Sequence, residues 1–533
     1  MYETGDTDTS YSFEIREDIY EQQLIDTTRS YTLQRSITDI NDPITGLNIE
    51  AGHLQDKEAQ VYFSDEYYEE GQTIDVAGGW YDAGDFGMYT APSAVTVAQL
   101  LQAYEMNESA FYEGQLDFPE GISNEGLPDI LAEIKFNLEW MESMQRPEDG
   151  GVFHKNSGLE WPGMIEPSED EQERYVFGIS TFSTAQYAAS MAMASRIYED
   201  YDEEYSNQLL ENAEAAFAYL ENNTEPSFRV DEGQDDGSGA YDKGVETGEG
   251  TEDIEERFWA AAELYKTTGD IKYDAYLDNE DFRELFREQP NYVSWANTHS
   301  LGQWAYWTAD NGQEERKDDI EAAFTSYAED TVQQINEDGY SSALSAEEYT
   351  WASAKNAIAK GNLLLMADKI TPNKEYVDAA IEQLHFVLGR NATGHSFLTG
   401  AGDNAPENPH HRIIESTGVY VPGLLVGGPN GFGGDEYLDE WLDSDNPPAP
   451  GKAYLDELDS FATNEYAIDY TAPLVLMLSS IEENENVKAS SDRETGGELP
   501  DTNTGYISIV LGALSLTIVS GLLFWRRRII KSE

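Results

Sequence analysis

The chain has 533 residues and carries 104 Asp and Glu against 31 Lys and Arg, a formal charge of −73 at pH 7. That balance excludes nucleic acid as a partner, because phosphate binding needs a basic face, and it disfavours docking on anionic lipid. A hydrophobic share of 40% with 12% aromatics marks a folded chain with a large core under an acidic skin, and the absence of cysteine removes disulfides, thiolate metal sites and thiol nucleophiles.

Self-repulsion at this charge is relieved by salt, so the skin reads as adaptation to a saline or alkaline exterior. Residues 1–12 are an acidic stub without the basic start and apolar stretch of a signal peptide, and the chain reads as a fragment that lacks an upstream module or leader. Between 17 and 481, eleven stretches repeat apolar residues at helical spacing. They lie near 17–35, 92–105, 129–145, 180–199, 206–222, 253–268, 297–309, 316–334, 346–367, 374–388 and 467–481. In 374–388 the stripe is Val377, Ile381, Leu384 and Leu388, with Asn373 placed to cap the start and Gly389 the end. Alternating strand patterns are scarce. Long Gly-, Asp- and Pro-rich loops at 70–91, 146–175, 224–252 and 389–463 separate the helices, and loops of that length in a compact domain carry function. The expectation is an all-α helical toroid or barrel with its site among the loops.

After the last helix, 483–505 read as a polar linker. Residues 506–525 are an uncharged, mostly apolar run long enough to span a bilayer as a helix. Arg526, Arg527, Arg528 and Lys531 follow, so 526–533 read as a basic cytoplasmic tail, with everything before the span outside. Leu499-Pro500-Asp501-Thr502-Asn503, just ahead of the span, resembles the cell-wall sorting signal of Gram-positive surface proteins, with Asn503 in place of the usual Gly.

Three loop constellations carry candidate chemistry. In Gly78-Gly79-Trp80-Tyr81-Asp82-Ala83-Gly84-Asp85, two carboxylates three apart in a glycine-rich turn can aim at one point, as a water-activating hydrolase needs; a calcium loop or a helix cap has the same pattern. In Pro409-His410-His411-Arg412, His410 and Arg412 can both hydrogen-bond a polyhydroxylated ligand, or the histidine can be satisfied by backbone carbonyls. Tyr454-Leu455-Asp456 and Phe461-Ala462-Thr463-Asn464-Glu465 form the third. Glu465 stands where a loop meets an apolar helix, which suits a carboxyl of raised pKa acting as an acid, or one that serves only the helix dipole.

These constellations, in this order, resemble glycoside hydrolase family 9, the inverting cellulases, over about 13–482. Asp82 and Asp85 match the family's Asp-Ala-Gly-Asp motif, His410 and Arg412 its His-x-Arg signature, and Asp456 and Glu465 its last signature; Thr471 stands where Asn is usual. The resemblance implies an (α/α)6 barrel. It implies Asp85 as general base, Asp82 as its partner in holding water and Glu465 as general acid, with His410, Arg412 and Asp456 binding sugar or orienting the acid. Sugar rings present apolar faces, so Trp80, Tyr81, Trp295, Trp351 and Tyr470 are candidates to line the cleft, with core packing as the alternative for the last three. Family members often bind calcium near the segment matching Glu255-Glu256, which makes Asp242, Asp253, Glu255 and Glu256 a candidate structural calcium set. No organic cofactor is expected.

The implied activity is endo-acting cleavage of β-1,4-glucosidic bonds in cellulose or related β-glucans, with β-glucan or cello-oligosaccharide as partner and the C-terminus anchored to membrane or cell wall. The alternatives are an exo-acting cellodextrinase, β-glucosidase or glucosaminidase of the same family, and a surface glycan-binding protein without turnover.

Overall fold

The computed structural model describes residues 19–229, 239–242 and 251–495, with side chains to 481. The stub 1–12, the span 506–525, its tail and the sorting-signal-like motif lie outside the described residues. Among those described, no helix is long and apolar enough to cross a membrane.

Among the described residues there are ten helices of ten residues or more: α1 (Thr90–Met106), α2 (Asp129–Ser143), α3 (Thr181–Tyr198), α4 (Glu203–Asn222), α5 (Ile254–Thr268), α6 (His299–Thr308), α7 (Glu314–Glu337), α8 (Ser353–Ile370), α9 (Lys374–Val387) and α10 (Ile468–Thr495). They follow the expected stretches, except that α8 starts at Ser353 rather than near 346, where a 3₁₀ turn, Ala346–Glu348, stands apart. The first expected stretch becomes a shorter helix, Glu21–Arg29, followed by one 3₁₀ turn. The last overshoots, because α10 continues through part of the segment read as linker. Glu482, Glu483, Lys488 and Ala489 are good helix formers, so polarity alone did not mark the helix end.

The starts follow local rules. Ser180 Oγ accepts the Ser183 N–H ahead of α3, Asp202 accepts from Tyr205 ahead of α4, and Asn373 accepts from Glu375 ahead of α9. Gly269 closes α5 in the left-handed conformation, at φ +67°.

Two classes of helix make two layers. α1, α3 and α8 are rich in Ala, Ser, Thr and Leu and are buried almost all round. α4, α7 and α9 bury one stripe and expose the rest. α1 packs on α3, α3 on α5, and α5 on α6; α4 covers α3, and α9 covers α8. Asn362 of α8 donates to the Pro473 carbonyl of α10, and Asn107, just past α1, donates to the Ser479 carbonyl of α10. This is the inner-and-outer helical architecture expected of an (α/α)6 barrel.

Small strands, which sequence patterning does not reveal, occupy the loops. β1 (Ile40–Asn41) pairs with β2 (Asn48–Ile49). A five-stranded sheet has the order β4-β3-β7-β6-β5, formed by Thr73–Ile74, Ala59–Val61, Tyr175–Val176, Lys155–Ser157 and Met88–Tyr89. β3 and β7 are parallel and the other pairs antiparallel. With two or three residues per strand, none is long enough to show an alternating pattern.

Candidate active site

The backbone brings the three constellations together. Ile468 N–H donates to the Asp82 carbonyl (2.7 Å), Arg412 N–H to the Gly84 carbonyl (3.1 Å), His410 N–H to the Asn464 carbonyl (2.9 Å), and Gly427 N–H to the Glu465 carbonyl (3.0 Å). Gly84 is needed for this approach, because a Cβ there would lie 2.2 Å from the His410 carbonyl oxygen. Segments separated by more than 300 residues thus hold Asp82, Asp85, His410, Arg412 and Glu465 on one frame.

Asp82 is buried. One carboxyl oxygen accepts the Tyr241 hydroxyl at 2.7 Å, and the other has no hydrogen-bond partner among the described residues. Burial, then the nearby Asp469, push its pKa well above the usual carboxylate range. Asp85 accepts the Gly87 N–H at 3.1 Å. Burial raises its pKa, while Arg412, Arg174 and His410 draw it back towards the ionised form. Glu465 is pushed from 4.5 up to about 8 by burial and by the Asp85 charge, with Arg412 opposing. Such an environment keeps a carboxyl protonated near neutrality beside a second carboxyl that cations favour as an anion, which is the division of labour acid–base hydrolysis requires.

His410 Nδ1 lies 2.6 Å from the Leu458 carbonyl, so that nitrogen carries the proton and Nε2 is the acceptor in the neutral ring. Arg412 Nε donates to the Pro162 carbonyl at 2.9 Å, tying the Trp161-Pro162-Gly163 loop to the frame. Asp456 accepts the Glu407 and Asn408 N–H groups (2.7 and 2.9 Å) and the Asn464 side-chain amide (3.0 Å). Its carboxylate holds the loop before His410 and the residue before Glu465.

A cavity of about 390 Å³ opens beside Glu465, walled by Trp295, Trp351, Tyr470, Tyr241, Lys355 and Asp469. Trp295, Trp351 and Tyr470 therefore stand where aromatics were expected, with Trp351 39% exposed. Trp80 and Tyr81 do not: both are fully buried. The Trp80 indole donates to Glu133 at 2.7 Å, and the Tyr81 hydroxyl meets His53 Nδ1 at 2.7 Å, so these rings pack beneath the site.

Calcium at the expected residues is not shown. Among the described residues no three acidic or histidine side chains gather as a metal set. Asp253 is taken by Arg257 through two hydrogen bonds (2.8 and 2.9 Å), Glu255 accepts the Thr298 and His299 N–H groups, and Glu256 is buried against the Thr298 hydroxyl. Asp242 is buried too, and the four do not converge. In so acidic a chain, proximity in sequence is a poor guide to a shared coordination centre.

Sequence reasoning missed Tyr241, Lys355 and Asp469. The only signal for Lys355 was a lysine inside a run of small helix residues, and Tyr241 sits in a loop without period.

Residues 20–478 match the family described as glycosyl hydrolase family 9. The chain belongs to glycosyl hydrolase family 9. Endoglucanase D of Acetivibrio thermocellus is 30% identical over 88% of this chain and 71% of its own length. A cellodextrinase of Butyrivibrio fibrisolvens is 31% identical over 90% of this chain and 86% of its own. A xyloglucan-specific endo-β-1,4-glucanase of Bacteroides ovatus is 31% identical over 77% and 70%. The crystal structure of family 9 endoglucanase J30 is similar at a TM-score of 0.84 and 45% identity, covering 89% of this chain and 86% of that one. For this family 9 chain, the mostly helical architecture agrees with that solved relative.

Proposed function

We propose that this chain is an endo-acting β-1,4-glucanase that hydrolyses cellulose or a related β-glucan with inversion at the anomeric carbon. The observation that carries the reading is one frame that holds a carboxyl kept protonated, Glu465, with Asp85, whose pKa burial raises while Arg412, Arg174 and His410 oppose that rise. Glu465 donates a proton to the departing glycosidic oxygen. Asp85 takes a proton from water, and that water attacks the opposite face of the sugar. Asp82 helps hold the water; burial favours its neutral form, which both donates and accepts. His410 Nε2 and Arg412 meet sugar hydroxyls, and Trp295, Trp351 and Tyr470 supply apolar faces to the rings. The names of the relatives support a β-1,4-glucan substrate.

In this reading residues 13–482 are the catalytic domain, displayed outside the cell and held to membrane or wall by the 506–525 span and the motif before it. The support for anchoring is the apolar run and the arginines behind it.

Proton NMR of the first product from a β-linked oligosaccharide tests the mechanism. An α anomer first is expected, and a β anomer first would overturn both the base assignment and inversion. Product lengths from a soluble cellulose derivative separate endo action, which gives mixed oligomers early, from exo action, which gives one short product throughout.

A further inference from the structure

The Asp82–Gly87 turn that presents Asp85 has its backbone held from several directions. Asp82 N–H closes on the Gly87 carbonyl, Ile468 takes the Asp82 carbonyl, Gln34 the Ala83 carbonyl, and Arg412 the Gly84 carbonyl. The Phe86 carbonyl, between Asp85 and the Gly87 N–H that Asp85 grips, is taken from beneath by Arg174 Nη1 at 2.9 Å. Arg174 is itself fixed: Nε pairs with Asp56 at 3.0 Å, Nη2 reaches the Asn156 carbonyl, and both side chains of the pair are buried. The small sheet supplies the footing. Arg174 directly precedes β7, its carbonyl accepts the Gln60 N–H of β3, and the turn runs into edge strand β5.

We propose that Arg174, braced by Asp56, is a positioning residue for hydrolysis: it fixes the Phe86 carbonyl and thereby aims the Asp85 carboxylate at the attacking water. This rests on reading Asp85 as the base. The guanidinium also acts electrostatically, since Arg174 is one of the cations that favour ionised Asp85. The other groups facing Asp85 are Arg412, His410, Glu465, Asp82 and Tyr241. Around Arg174 stand Asp56, His53, Tyr81 and, through His53, Asp170.

The test uses the full chain with Arg174→Gln, Arg174→Lys and Asp56→Asn, measuring kcat and KM against pH on a soluble β-glucan alongside thermal melting. Misaiming by a fraction of an ångström predicts a fall in kcat of about 10- to 100-fold for Arg174→Gln, with KM changed less than about twofold. The acid limb of its kcat/KM profile moves to higher pH, because the base has lost a nearby cation. Arg174→Lys keeps the acid limb near its wild-type position while kcat stays low. Asp56→Asn leaves the arginine uncompensated and moves the limb to lower pH, which provides a reading should Arg174→Gln fail to fold. Limbs unmoved in folded Arg174→Gln and in Asp56→Asn would overturn the proposal. Asp85→Ala separates the two readings. Full activity in that variant removes Asp85 as base, whereas an inactive Asp85→Ala with unmoved limbs in the other variants removes only the role of Arg174.

Discussion

Glu465 concentrates the chemistry at the scale of single residues. With its pKa at about 8, the kcat/KM profile should fall on the alkaline side with an apparent pKa near 8. Glu465→Gln should lower kcat on a natural β-glucan by about 10²- to 10⁴-fold, the range for general acid catalysis, and near-normal turnover would remove the residue from that role. The same substitution bears on stability. Glu465 binds its proton more tightly folded than unfolded, so its stabilising contribution is fully present below about pH 4.5 and is lost as pH rises through 8. Glu465→Gln should therefore melt above wild type at pH 9 and show little difference at pH 4, by calorimetry. Gly84 gives a steric counterpart. A methyl group placed 2.2 Å from the His410 carbonyl must part the two backbones, so Gly84→Ala should lower kcat about tenfold or more while the helices, read by circular dichroism, stay intact.

Between elements, the decisive link is Lys355 with Asp469. Lys355 lies in the first turn of α8 and Asp469 in the first turn of α10, their side chains 6% and 4% exposed and 3.1 Å apart. This pair walls the cavity and limits the negative charge next to Asp82. Removing one partner of a buried pair costs about 3–5 kcal/mol, because the other charge is left uncompensated. Lys355→Met should show a loss of that size in denaturant unfolding, and adding Asp469→Asn should recover much of it. If the double variant is as unstable as the single one, the lysine matters for packing rather than charge.

For the molecule as a whole, charge sets the response to salt. At −73, repulsion among surface carboxylates opposes the compact state, and raising ionic strength from about 0.1 M to 1 M shortens the Debye length from about 10 Å to 3 Å. Melting temperature and activity should both rise over that range. A flat or falling melting curve would count against adaptation to a saline exterior.

Helices such as α4, α7 and α9 were legible in the sequence because a single buried stripe repeats with a 3.6-residue period, and α9 even shows its cap at Asn373. The Asp82–Asp85, His410–Arg412 and Asp456–Glu465 segments were legible because glycines and clustered polar residues mark loops, and their order pointed to the family. Other features depended on distance in space. Trp80 and Tyr81 adjoin Asp82 in sequence yet are buried in the core, where they meet Glu133 and His53. The calcium acids are close in sequence but engaged by Arg257, Thr298 and His299. Tyr241 meets Asp82 across 159 residues, Lys355 meets Asp469 across 114, and Arg174 meets Phe86 across 88. Periodicity and spacing record what a residue does within its own segment. Which charges share a buried volume, and so which carboxyl keeps its proton, is settled only when the segments pack.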